Sequence, residues 1–437
     1  MANSTRAKKR GQLEIPNKDL YRLAEKLGTP YYIIDERTLK EKLNDLRKAY
    51  SKFEGDVIIA YSIKANFNPF LLKVFIENGT WFDVTSPEEL YFLKESGGDP
   101  SKVVYTSVTE GRGEYSTILK EGVEYVVVSS YQGLLHLIEA SMEAKVNPKV
   151  MIRVHPEVHV KAEIKSSYGK FGVPFNGPSL DTATNLLRLI YSESSLNFVG
   201  FHFHLGSQIE DPKCFEHALE KLEKFVSRMK KEIPHLNVEI LDVGGGIPVY
   251  YGMEVPSPTD IASKVVTRLN CLRRKLNMNF DLIVESGRYL SAEASFLVSR
   301  VINVKIYGRR KFVFLDTGYH QLLDSALVRQ VYPVEVVPKG EKDGYKVVLV
   351  GRLCDDIDIF PLGPETELNG VEVGKLVVFK NVGAYSLVFN MPFHSQVKPA
   401  VVFRRENGEY VLARRRESLK ELFLEEGGDL LRNFKKL

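Results

Sequence analysis

The sequence predicts an α/β protein: a (β/α)8 barrel of the TIM type followed by a C-terminal antiparallel β-domain. Three observations carry this. Between about residues 30 and 290, short β-branched runs alternate with longer amphipathic ones, the signature of parallel βαβ units. Eight such runs fall within roughly 250 residues, the strand number of a closed barrel, whereas a doubly wound open sheet usually has fewer. After about residue 292 the texture changes to strand-like runs joined by short turns, with little helix between them.

The eight barrel strands are expected at 57–63, 81–85, 103–106, 125–129, 150–154, 198–204, 238–243 and 282–285. Each is a short apolar run, as strands buried on both faces require. Amphipathic segments at 38–50, 87–95, 132–144, 181–191, 214–231 and 260–276 supply helices around them. The second part offers strands at 296–307, 312–316, 331–337, 345–350, 375–380, 400–404 and 410–413, then a helical tail at 418–434. The early run 30–34 precedes the first helix. The expected division is an N-terminal segment, 1–35, joining the β-domain, then the barrel, 36–292, and the β-domain with its tail, 293–437. No internal repeat or low-complexity linker interrupts this order.

Composition narrows the function classes. With 44% hydrophobic and 27% charged residues, the chain is not broadly disordered. No run approaches the roughly 18 apolar residues of a membrane span. Net charge is only +4, from 60 Lys+Arg against 56 Asp+Glu, and much of the excess sits in Arg6-Ala7-Lys8-Lys9-Arg10 and Arg414–Arg416. That leaves no basic stripe for nucleic acid. The first ten residues lead into no apolar core, so no secretory signal is expected. Cys214, Cys271 and Cys354 are far apart and odd in number, which predicts neither a disulfide framework nor a cysteine metal site, and suits a reducing cytoplasm.

In a (β/α)8 enzyme the chemistry collects where strands end. The ends of these eight runs carry Lys64, Asp83 with Ser86, His155, His204 with Ser207, Gly244-Gly245-Gly246, and Glu285 with Arg288. A lysine closing an apolar strand is partly desolvated, which favours its free, nucleophilic amine; the plain alternative is a snorkelling or salt-bridged lysine. Three glycines after the seventh strand let backbone N–H groups approach a phosphate, or make a tight turn. Glu285 is placed to hold a protonated pyridine nitrogen, and Arg288 to pair with a phosphate or carboxylate, unless the two pair with each other. His202 and His204 share a strand face, but no third metal ligand is evident and no metal is expected.

These motifs together carry a family resemblance. Tyr61-Ser62-Ile63-Lys64-Ala65-Asn66, Phe82-Asp83-Val84, His204-Leu205-Gly206-Ser207, the triple glycine and Glu285-Ser286-Gly287-Arg288 resemble the pyridoxal-phosphate decarboxylases of the alanine-racemase-like fold, the diaminopimelate and ornithine decarboxylases among them. Gly351-Arg352-Leu353-Cys354-Asp355-Asp356 and Gly383-Ala384-Tyr385-Ser386 continue the match, in order, into the second domain.

The resemblance implies a cofactor, pyridoxal 5'-phosphate, and an amino-acid substrate. Lys64 would carry the cofactor as a Schiff base, with Asp83 beside it and His204 stacked on the ring. Ser207, Gly245, Gly246 and Arg288 would bind the phosphate, with Tyr385 near it. Glu285 would keep the ring nitrogen protonated so that the ring accepts the electrons of a quinonoid carbanion. It also implies a homodimer with shared sites, in which Cys354 and Asp355 reach the partner's barrel and Cys354 delivers a proton.

The substrate segment departs from the pattern. Diaminopimelate decarboxylases usually place an arginine, then Leu-Tyr-Asp-Ala, after the Asp-x-Gly turn; here Asp324 stands at the arginine, Val328 at the tyrosine, and Arg329 at the acid of the ornithine type. Arg288, Asp324, Arg329, Asp355 and Tyr385 are the candidate substrate contacts. The expected reaction is decarboxylation of the diaminopimelate type. Alternatives are a basic amino acid of the ornithine or lysine type, an acylated or carrier-linked amino acid of secondary metabolism, and, at greater distance, a racemase or a non-catalytic regulatory homologue.

Overall fold

The computed structural model describes residues 15–165, 169–342, 344–364 and 366–433. The basic cluster at 6–10, the first part of the N-terminal segment and the last residue of the expected tail lie outside these. The described residues form two compact units. One holds Lys40–Val249 and Glu254–Leu290, the other residues 15–39, Tyr250–Met253 and 291–433.

The first unit is a closed parallel barrel. Its strands are β2 (Val57–Ser62), β3 (Trp81–Val84), β4 (Val103–Tyr105), β5 (Tyr125–Val128), β6 (Lys149–Arg153), β8 (Asn197–His202), β10 (Ile240–Asp242) and β11 (Asp281–Ser286), with β11 closing on β2. The short strands β7 (Ala162–Lys165) and β9 (Gly206–Ile209) pair antiparallel outside the barrel. Ala60, Val104, Tyr125, Val127, Met151, Val199, Ile240 and Ile283 fill the interior. These positions are why the strands read as apolar runs: one set of residues packs the barrel, the other packs the helices.

That inward period sets the site. Two residues beyond Met151, Ile240 and Ile283 stand Arg153, Asp242 and Glu285, the last inward positions of their strands. Strand β8 reaches the same level through a bulge. Val150 pairs with Phe198 but Met151 pairs with Gly200, so Val199 is an extra residue and His202 comes level with Arg153 on one side and Asp242 on the other.

Several helices start on caps that the sequence provides. Asn68 caps α3 (Pro69–Glu77) by accepting from Phe70 N–H, and Ser86 caps α4 (Pro87–Glu95) by accepting from Glu89 N–H. Ser257 and Asp260 form a capping box at the start of α9 (Pro258–Leu276). No helix among the described residues is long and apolar enough to cross a membrane.

The second unit is a sheet. Strands run in the order β16 (Ile359–Phe360), β15 (Lys346–Val350), β13 (Arg310–Leu315), β12 (Ser295–Tyr307), β1 (Tyr31–Asp35), β18 (Ala400–Arg404) and β19 (Tyr410–Arg414). β17 (Leu376–Lys380) pairs with both β12 and β14 (Val334–Val337). Most neighbours are antiparallel, as expected from the short turns, but β1 with β18 and β13 with β15 run parallel. The sheet is therefore mixed: β1 enters it from the far end of the sequence, and a long connection, not a hairpin, joins β13 to β15. Helix α1 (Asn17–Leu27) lays Leu20, Leu23 and Ala24 on Tyr31, Ile33, Phe296 and Val298. The tail forms a helix only over Leu419–Glu425, followed by a short 3₁₀ turn from Leu430.

Candidate active site

Lys64 sits in the turn Ile63–Ala65 directly after β2, half-buried. Its Nζ donates to Asp83 Oδ2 at 2.6 Å, and the other oxygen of that fully buried carboxylate, Oδ1, has no hydrogen-bond partner. Asp83 belongs to β3, where it pairs in register with Ser62. Glu89, at the start of α4, accepts from Thr85 N–H at 2.7 Å; burial raises its carboxyl pKa, which the nearby Lys64 cation partly offsets.

His204 follows β8. Its Nδ1 accepts the Gly245 backbone N–H at 3.1 Å, and burial pushes its pKa down to about 4 despite the neighbouring Glu285. The ring is therefore neutral with its proton on Nε2, and the 4.0 Å approach of Nδ1 to Glu285 Oε2 is not an ion pair. Glu285 is buried at the end of β11; its Oε1 lies 3.3 Å from His202 Nε2 without a hydrogen-bond partner.

The triple glycine works as a cradle. Gly244 has φ +66° and its N–H is held by Asp242 Oδ1 at 2.8 Å. A Cβ on Gly245 would stand 2.6 Å from the Glu285 carbonyl oxygen, and one on Gly246 2.4 Å from the Gly206 carbonyl oxygen. No larger residue fits either position without displacing backbone. Close by in the same unit, Arg288 Nε donates to Ser207 Oγ at 3.3 Å.

The barrel thus supplies Lys64, Asp83, His204, Ser207, Gly245, Gly246, Glu285 and Arg288 from its strand ends. It also supplies Arg153 and Asp242, which strand-end reading passed over, and His202, which the sequence offered only as a possible metal ligand; all three are buried. They are the last inward side chains inside their strands, not the first residues after them. The signal was a charged or polar residue at an inward period-2 position of an apolar run. Burial pulls the Arg153 pKa down, against the carboxylates of Glu285, Asp83, Asp242 and Glu110, and its guanidinium covers the Phe171 ring at 4.8 Å.

Asp324, Arg329, Cys354, Asp355 and Tyr385 belong to the β-domain. Cys354 is a free, exposed cysteine. Beside it, Asp355 Oδ2 accepts from Tyr319 OH at 2.9 Å, and the buried Asp358 accepts backbone N–H groups from Tyr319 at 2.7 Å and Leu353 at 2.8 Å. Asp324 is buried and Arg329 exposed. Tyr385, with φ +57°, stacks its ring on Phe389 at 6.5 Å.

The family model described as "Pyridoxal-dependent decarboxylase, pyridoxal binding domain" matches residues 36–292. The chain belongs to this family. It is 29% identical to the diaminopimelate decarboxylase of Methanocaldococcus jannaschii over 97% of this chain and 96% of that one. To the diaminopimelate decarboxylase of Vibrio cholerae it is 31% identical, over 94% and 96%. The M. jannaschii enzyme solved in co-complex with L-lysine superposes with a TM-score of 0.85, at 27% identity, covering 97% of this chain and 98% of that one. The barrel with its separate sheet is the architecture of these decarboxylases. The chain is accordingly a pyridoxal-phosphate-dependent amino-acid decarboxylase, a carboxy-lyase.

The barrel residues fit that cofactor on their own terms. A half-buried amine, a backbone cradle with no room for side chains and a buried carboxylate oxygen lacking a donor match an aldehyde, a phosphate and a protonated ring nitrogen.

Proposed function

We propose that the chain removes one carboxylate from a free amino acid of the diaminopimelate type, as a cytoplasmic homodimer with shared sites. The observation that carries the residue roles is the grouping, in one barrel unit, of the Lys64–Asp83 pair, the glycine cradle and the donor-less Glu285 oxygen. When bound, pyridoxal phosphate supplies a cationic ring that accepts the electrons of the broken Cα–carboxylate bond.

The protein's part is placement and protons. Lys64 Nζ is the amine that would hold the cofactor through its aldehyde, with Asp83 Oδ2 keeping that amine oriented. His204, neutral and pinned by Gly245, offers the ring a flat face without adding charge. Ser207, Gly245, Gly246 and Arg288 take the phosphate, with Tyr385 beside it, and Glu285 takes the ring nitrogen. After carbon dioxide departs, Cys354 Sγ of the second subunit gives a proton to Cα, and Asp355, fixed by Tyr319 OH, aligns the substrate.

Relatives nearly as long as this chain carry the diaminopimelate decarboxylase name, which supports that substrate. Loss of one carboxylate from diaminopimelate leaves lysine, the ligand of the M. jannaschii complex. One observation favours a second reading. A buried acid, Asp324, stands where the resemblance expects an arginine, and an acid suits a distal ammonium better than a distal carboxylate. Holoenzyme incubated with diaminopimelate, ornithine, lysine and an acylated amino acid should release carbon dioxide from diaminopimelate and form lysine. Release from ornithine or lysine alone would replace the first reading with the second. Borohydride reduction should fix the cofactor to a peptide containing Lys64, and a label on another lysine would overturn the residue roles.

A further inference from the structure

Behind Glu285 lies a group of buried polar atoms with no assigned task. Arg153, His202 and Asp242 stand level across β6, β8 and β10. One ligand-type atom from each of His202, Asp242 and Glu285 lies within 4.8 Å of the other two. Asp242 Oδ1 is used, accepting the Gly244 N–H at 2.8 Å, but Oδ2 is buried without a hydrogen-bond partner. Both ring nitrogens of His202 and Oε1 of Glu285 are in the same condition.

Unpartnered buried oxygens on two carboxyl groups this close are explained if one group carries a proton. A buried oxygen that lacks a donor is costly, but a buried O–H beside an acceptor is not. Two carboxylates side by side in a low-dielectric site cannot both ionise cheaply, and the one that faces the cationic ring nitrogen is the one that gives up its proton. Burial and the Glu285 charge both push the Asp242 pKa well above the ordinary carboxylate range. The buried Arg153 cation opposes that rise without reversing it, and His202 adds no second cation, because burial and Arg153 hold its pKa well below that of an exposed histidine.

We propose that Asp242 is a neutral carboxylic acid in the working enzyme, a positioning residue whose Oδ2–H donates into the His202–Glu285 pair and leaves Glu285 as the one anion opposite the ring nitrogen. The proton sits on Oδ2 because Oδ1 already accepts from Gly244. Within the cluster its acceptors are Glu285 Oε1, which keeps a second lone pair for the ring nitrogen, and the lone-pair nitrogen of His202, whose Nε2 stands 3.3 Å from that oxygen. The same aspartate thereby ties two parts of the site together. One oxygen shapes the glycine cradle and the other orients the carboxylate at the opposite end of the cofactor. This rests on reading Glu285 as the ring-nitrogen partner.

The test is an infrared difference spectrum of the substrate-free holoenzyme at neutral pH, wild type minus Asp242→Asn. Wild type should show the carbonyl stretch of a neutral carboxylic acid that the variant lacks. In Glu285→Gln the repulsion that protonates Asp242 is gone, so the same band should weaken, even if Asp242→Asn folds poorly. Asp242→Ala should weaken cofactor binding by about tenfold or more, the scale of one lost buried hydrogen bond. Asp242→Asn, which retains an acceptor for Gly244 and offers an N–H in place of the O–H, should restore most of that loss. A spectrum with no acid band, or Asn behaving like Ala, overturns the proposal. So does a tightly held stoichiometric metal, since ligation would require both carboxylates to be deprotonated. If instead the band behaves as expected while Glu285→Gln leaves the cofactor's absorbance unchanged, Asp242 stands and the ring-nitrogen role of Glu285 falls.

Discussion

A buried imidazole without a hydrogen bond must remain neutral, and His320 of the β-domain is one: both ring nitrogens are buried without a partner. Burial and the nearby Arg352 and His394 push its pKa down to about 4. Unfolded, it would titrate near 6.5. Between those values the unfolded chain binds a proton that the folded chain refuses, so stability falls as pH drops through that window and the loss is complete below it. Measured against a His320→Leu variant, wild type should lose up to about 1.4 kcal/mol of unfolding free energy per pH unit across that range. Parallel stability curves would show that the ring gains a proton partner in the fold. His320 also marks where residue reading stops. Lys64, His204 and Glu285 were legible because they end apolar runs and sit in ordered motifs. Arg153 and Asp242 carry no motif of their own, only an inward position in an apolar run, and for His320 the fold alone shows that it is buried.

At the scale of elements, the site depends on the bulge in β8. The extra residue at Val199 brings His202 level with Asp242, and Gly200 makes the turn in register possible: a Cβ there would stand 1.8 Å from the Ile240 carbonyl oxygen. Gly200→Ala must therefore separate β8 from β10, at a cost of about 2 kcal/mol or more, seen as a lowered urea midpoint. Gly113→Ala, in the helix Arg112–Lys120 with nothing within 4 Å of the new Cβ, should instead hold or raise the midpoint. A Gly200→Ala midpoint equal to that of wild type would mean the bulge tolerates a side chain, and the register argument would fail. The barrel strands were legible to within two residues because β-branched runs mark them. Helix α3 was not: Phe70, Leu71, Leu72, Val74, Phe75 and Ile76 make it mostly apolar, and only Lys73 and Glu77 mark its exposed face, too few polar positions to give a clear period. The β7–β9 pair was missed because its strands are separated by a whole helix and strand, and pairing of that kind leaves no local pattern.

At the scale of the whole molecule, the proposed chemistry is divided between two units. Lys64 and Glu285 lie in the barrel, while Cys354 and Asp355 lie in the sheet unit with Tyr319 and Asp358 fixing their loop. The order of motifs along the chain made that division readable, but a single sequence does not say which copy of the sheet serves which barrel. The proposed homodimer makes a specific claim: each site takes Lys64 from one chain and Cys354 from the other. Twofold symmetry then gives two equivalent sites. A Lys64→Ala protein and a Cys354→Ala protein should each be nearly inactive. In a mixed dimer one site loses both residues and the other keeps both. With random subunit exchange about half the dimers are mixed, each with one of two sites intact, so activity should recover to about a quarter of wild type. Exchange is checked by mass and folding of each variant by its unfolding midpoint. Confirmed exchange without recovery would place Lys64 and Cys354 in the same chain's site, or take Cys354 out of the reaction, and its exposure would then be that of an ordinary surface thiol.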